Sequence, residues 1–162
     1  MKKLTYLAYI TLLLTTLSCN KKNYSPMNYE KMQVVFGNMG GFAGTTTEYT
    51  LLENGQLFKR YGQILKDDYS TLPSIGKKDM KSILKVLKAA ELTNISLNKP
   101  ANFSYFIEII DKKKNIQHKV IWGNEADAST PQNVKDVYNL LHTWARGKEE
   151  EKENLPAPTE DK

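Results

Sequence analysis

The chain has 162 residues, a formal charge of +5 and a single cysteine, with 40% apolar and 25% charged residues. That balance belongs to an ordinary globular domain and excludes a disulfide-stapled scaffold, so packing must hold the fold together. The charge is unevenly spread. Lys2 and Lys3 supply two positive charges and residues 148–162, with six acids and three lysines, subtract three, so the middle of the chain carries +6.

Lys2 and Lys3 are followed by an uncharged stretch, residues 4–18, and then by Ser18-Cys19. Positive end, apolar run and small residue form the order of a secretory signal. The run is too short for the roughly 20 apolar residues of a spanning helix. Residues 1–18 therefore read as a signal peptide. Thr16-Leu17-Ser18-Cys19 resembles the lipobox of bacterial lipoproteins, and that resemblance implies that Cys19 is a lipidated, palmitate-bearing N-terminus and that the protein sits on a membrane of the cell envelope, the outer rather than the inner. An exposed reactive thiol is the other reading of Cys19, but no histidine or other activating group stands beside it. Residues 19–31, with Pro26 and no hydrophobic periodicity, read as a tether of about ten flexible residues spanning roughly 17 Å.

A single domain is expected over residues 32–146. Residues 33–37 (QVVFG) form a β-branched run, and Asn38-Met39-Gly40-Gly41-Phe42-Ala43-Gly44 follows. Glycines so dense mark a turn or a close backbone approach. Residues 45–52 (TTTEYTLL) are strand-like, Asn54-Gly55 is the strongest short hairpin signal, and residues 56–61 alternate on its far side. Residues 64–74 read as loop. Residues 77–91 read as a helix, with Met80, Ile83, Leu84 and Leu87 on one stripe. Ser74 or a residue just after it would cap the start, and Asn94 would close the end in a left-handed conformation.

Residues 103–110 (FSYFIEII), apolar on both faces, suit a central strand, and residues 111–115 (DKKKN) turn the chain into a further strand over 116–122. Ile116, His118, Val120 and Trp122 share one face of it. Thr130 as cap and Pro131 at the first position open a second helix, whose core face holds Val134, Val137, Tyr138, Leu141 and Trp144. Residues 147–162 read as a disordered acidic tail. The order β-β-β-α-β-β-α predicts an α+β fold: an antiparallel sheet of about five strands with both helices on one face.

No catalytic set is legible. The glycines lack the spacing and the Lys-Ser/Thr of a phosphate loop, and no serine stands in a nucleophile elbow. His118 and His142 lie on different elements, and Glu108 or Asp136 would have to complete any metal site. Asp67-Asp68 and Glu125-x-Asp127 lack the rest of a calcium loop. The expectation is a non-enzyme without cofactor, metal, nucleic acid or small-molecule substrate. Lys77, Lys81, Lys85 and Lys88 lie opposite the apolar stripe of the first helix; they read as a solvated face or as a contact for anionic headgroups. The candidate binding residues are Met39, Gly40, Gly41, Phe42, Ala43 and Gly44, a glycine loop presenting apolar side chains to a protein partner.

Over about residues 34–144 the chain resembles the small lipoproteins of Bacteroidetes-type bacteria, through GGFAG, the Asn-Gly hairpin, the segment from Pro100 to Glu108 and the Ser-Cys-Asn start. In GGFAG and in the order of its elements it is also similar to emfourin, an inhibitor of thermolysin-type metalloproteases. The first resemblance implies an envelope lipoprotein, either binding a protein or serving as an accessory of an envelope complex. The second implies a protease as the partner.

Overall fold

The computed structural model describes residues 24–41, 44–62, 69–123 and 128–155. Seven strands form one sheet: β1 (Met32–Gly40), β2 (Thr45–Leu52), β3 (Leu57–Gly62), β4 (Ser70–Leu72), β5 (Asn98–Lys99), β6 (Phe103–Asp111) and β7 (Ile116–Gly123), in the order β4-β3-β2-β1-β6-β7-β5. All neighbours are antiparallel except β5 on β7. Two helices, α1 (Lys77–Ala90) and α2 (Gln132–Glu153), complete the α+β fold. The expected five strands are all present. The two additions, β4 and β5, have three and two residues, too short to leave a periodic signal. Among the described residues no helix is long and apolar enough to cross a membrane.

The register explains which side chains meet the helices. Val34 and Phe36 stand opposite Leu51 and Tyr49 on one side and Ile109 and Ile107 on the other, and Ile107 pairs with Val120. These residues form the main core with Ile83 and Leu87 of α1 and Val134, Val137 and Leu141 of α2. Both helices thus cover one face, as the pattern implied. The opposite face carries Glu48 on Arg60 at 2.8 Å and Glu108 near Lys119 at 3.8 Å. Residues 24–31 fold onto one corner of that face, where Tyr29 packs with Leu52 and Phe58.

The strands define two ends of the molecule. At the first lie the start of β1, the Asn54-Gly55 turn and the β6–β7 turn; Glu53 donates to the Met32 carbonyl and Lys113 to that of Glu30. α1 crosses this end, since Ile75, just before it, donates to Gly55 O at 2.8 Å, and Leu87, Lys88 and Glu91 meet Met32, Asp111 and Ile116 around a groove of about 450 Å³. At the second end lie the β1–β2 turn and the start of β6.

Gly76, two residues after Ser74 and within the expected start, caps α1 in extended conformation without a side-chain bond, and Asp79 supplies the negative charge that the N-terminus favours. Two local expectations are corrected. Glu91 rather than Asn94 takes the left-handed conformation after α1 (φ 47°); Asn94 instead bonds the Glu91 carboxylate at 3.2 Å. Pro131, not Thr130, occupies the cap of α2, and the Thr130 hydroxyl is buried without a partner among the described residues. The largest departure is at the C-terminus. α2 runs through the expected boundary at 146–147 to Glu153, because Glu149 pairs with Lys59 and Lys152 donates to the Thr71 carbonyl at 2.9 Å. The glutamates there belong to a helix docked on β3 and β4.

Candidate functional site

The glycine segment does not form one loop. Met39 and Gly40 belong to β1, Gly41 and Gly44 to the turn, and Phe42 and Ala43 lie outside the described residues. Met39 and Gly40 point to opposite faces of the sheet, as neighbours in a strand must, so Met39 is half-buried on the face away from the helices. Cys19, the lipidation candidate, also lies outside the described residues.

What the glycines do is visible at the hairpin. Gly40 has φ +104°, and a Cβ there would stand 2.1 Å from the Asn102 carbonyl oxygen. Gly37 in the same strand would place a Cβ 1.9 Å from Thr47 O, so it is fixed by close approach of backbone. Gly41, at φ +77°, donates its N–H to Asn102 O at 2.7 Å, and Gly44 donates to Gly41 O at 3.1 Å. The hairpin is thereby tied to the segment that leads into β6. That segment is itself held: Ser104 Oγ accepts from Ala101 N at 2.8 Å and donates to Ala101 O at 3.0 Å, and Ala101 packs close against Gly123. Gly41 and Gly44, the described ends of the turn, thus form a ledge beside Asn102.

Phe103 sits on this ledge. It faces Gly40 in the register, and its ring lies against Gly41, whose Cβ would be 3.8 Å from Cδ2. The side chain is 42% exposed. Behind it an aromatic series runs inward: Phe103 meets Tyr105 edge-on at 5.3 Å, Tyr105 stacks on Trp122 at 5.9 Å, and Tyr138 of α2 closes on Tyr105 and Trp122 at 5.3 and 5.4 Å. A slot of about 220 Å³ opens beside them, lined also by Gln132, Lys135 and Asn139. Tyr61, 70% exposed and next to last in β3, lies in the same row as Tyr105. Aromatic rings with one exposed edge and a rigid support are the side chains that dominate protein interfaces.

The histidines serve packing. His118 Nε2 bonds the Ile95 carbonyl at 2.9 Å, and His142 stacks on Tyr138 at 5.6 Å with Tyr49 edge-on at 6.1 Å. Glu108 accepts from Gln117 and Asp136 from Gln132, each at 2.8 Å, and among the described residues no three His, Cys, Asp or Glu side chains are grouped to hold a metal ion. Asp67, Asp68, Glu125 and Asp127 lie outside the described residues.

Phe103 and Tyr61 were not legible as site residues. Each sits inside a strand pattern, and exposure of a strand's terminal residue depends on where the sheet ends. Gly40, read as part of the candidate loop, is the link, because its strand pairing brings Phe103 to the hairpin. No protein-family model matches the chain, and no curated protein matches it.

Proposed function

We propose that this chain is a lipid-anchored, non-catalytic binding domain of the cell envelope that grips a protein with the hairpin end of its sheet. The observation that carries the reading is the exposed Phe103 ring, seated on a ledge fixed by Gly40, Gly41 and Asn102. An apolar ring held rigidly loses little conformational entropy when a partner covers it. The similarity to emfourin gives the partner a class, a thermolysin-type metalloprotease. Gly41 and Gly44 remain in the contact surface, with Phe103 as its anchor beside the slot of Tyr105, Trp122 and Tyr138.

The test is inhibition of a thermolysin-type protease by the mature chain. Dose-dependent inhibition is expected. Phe103→Ala is expected to weaken it about fivefold or more, with the melting temperature within a degree or two of the parent. Absence of both inhibition and binding would remove the protease as partner. Undiminished inhibition by Phe103→Ala would move the contact off the hairpin end.

A further inference from the structure

We propose that the end of the domain opposite the hairpin rests on an anionic bilayer, with Met27 entering the headgroup layer and the lysines of α1 and of the β6–β7 turn on the surrounding phosphates. This deepens the reading of an anchored domain and rests on acylation of Cys19.

Four observations converge on that end. First, Met27 is 61% exposed at the tip of the turn over residues 26–28, where the chain enters the fold. Its backbone is fixed, since Lys112 Nζ donates to the Met27 carbonyl at 2.9 Å and Asn28 Oδ1 accepts from Ser25 N at 2.7 Å. Second, lysines share its end of the sheet: Lys31, Lys112, Lys113 and Lys114 are all exposed, and among the described residues only Lys114 of these four forms an ion pair, with Asp111 at 2.9 Å.

Third, α1 crosses the same end with Lys77, Lys78, Lys81, Lys85 and Lys88 exposed, together with Val86 at 39%. Among the described residues none of these five forms an ion pair, whereas Lys59, Arg60, Lys119 and Lys148 elsewhere do. From Lys77 to Lys88 the row extends about 16 Å. This end thus gathers nine lysines against five carboxylates, those of Glu30, Glu53, Asp79, Glu91 and Asp111. Fourth, Cys19 and Tyr24 are five residues apart in sequence, so Tyr24 stands no more than about 17 Å from the acylated residue.

Charge complementarity selects the partner. Like charges without counter-ions on one exposed surface repel each other, and an array of phosphates relieves that repulsion. Each lysine near an anionic leaflet adds to the attraction, and the attraction is lost within a Debye length. A link of at most about 17 Å, roughly two Debye lengths, lets the basic end come within that distance. The same contact turns the hairpin end away from the membrane, towards other proteins.

The test uses the purified acylated chain with vesicles of phosphatidylcholine alone or mixed with phosphatidylglycerol. Cys19 is the only cysteine, so Ser82→Cys on α1 and, separately, Asn102→Cys at the hairpin end each place one reactive thiol for a fluorophore. A headgroup-borne quencher reports distance. Phosphatidylglycerol is expected to increase quenching at position 82 and not at 102, and salt is expected to reverse it. Lys85→Glu with Lys113→Glu should weaken the response about tenfold or more with an unshifted melt, and Met27→Ser should weaken it while salt sensitivity remains.

Flotation with neutral vesicles reads the anchor separately. A chain that floats with them yet shows no lipid-dependent change at 82 would overturn the proposal and leave the anchor standing. A chain that floats only with anionic vesicles would support the basic surface and remove the anchor. Equal quenching at 82 and 102, or a response to soluble heparin with none to vesicles, would overturn the proposal.

Discussion

Gly40 and Gly44 flank one turn, yet a methyl group meets different surroundings at each. At Gly44 (φ +58°) nothing among the described residues lies within 4 Å of the added Cβ, so Gly44→Ala carries the left-handed backbone cost, about 1–2 kcal/mol. At Gly40 the Asn102 carbonyl lies 2.1 Å away as well, and overpacking adds about 1–3 kcal/mol. Urea unfolding should therefore rank Gly40→Ala as the more damaging change. Equal losses would show that the hairpin is not tied to residue 102. Tyr49 offers a second test at this scale. Burial, and then the Glu149 carboxylate beside it, push its phenol up to about 12 from 10.0. The folded state therefore holds the proton more tightly than the unfolded chain does. That contribution is present in full below about pH 10 and is lost as the pH rises to about 12, of the order of 2 kcal/mol. Tyr49→Phe should flatten the fall of stability over that window; an unchanged slope would assign it to another group.

At the scale of elements, α2 makes the sharpest demand. Its final turns carry Glu149 on Lys59 and Lys152 on Thr71 O, so removing residues 148–162 should cost about 1–2 kcal/mol through lost part-buried contacts. Removing residues 156–162 alone should cost less than about 0.5 kcal/mol. Circular dichroism melts of the two truncations check this, and equal stability of both would place the end of the domain back at residue 146. In α1 the stripe is graded: Ile83 is buried at 1% exposure while Leu84 borders the groove beside Met32. Ile83→Ala should cost about 2–5 kcal/mol and Leu84→Ala clearly less.

These elements also mark what the residues alone disclose. Helix and strand periods reveal α1, the face of α2 and five strands, because the apolar spacing survives in the sequence. The end of α2 is hidden, since its Glu/Lys-rich turns are polar on every side and are held by partners more than 75 positions away. Of the site, the glycines are legible by composition. Phe103 is not, because only strand pairing brings it to Gly41.

The whole molecule is organised between two ends that the strands join directly. β1 carries the chain from the folded segment 24–31 to the hairpin ledge, and β6 returns from Phe103 to the turn of Lys112, Lys113 and Lys114. On the proposed reading the two ends face different chemistry, lipid at one and protein at the other. Photo-crosslinking in intact envelopes distinguishes them, with a benzophenone amino acid placed at residue 103 in one protein and at residue 113 in another. A discrete protein adduct is expected from position 103 and lipid adducts from position 113. Lipid adducts from both positions, or a protein adduct from 113 and none from 103, would contradict that reading.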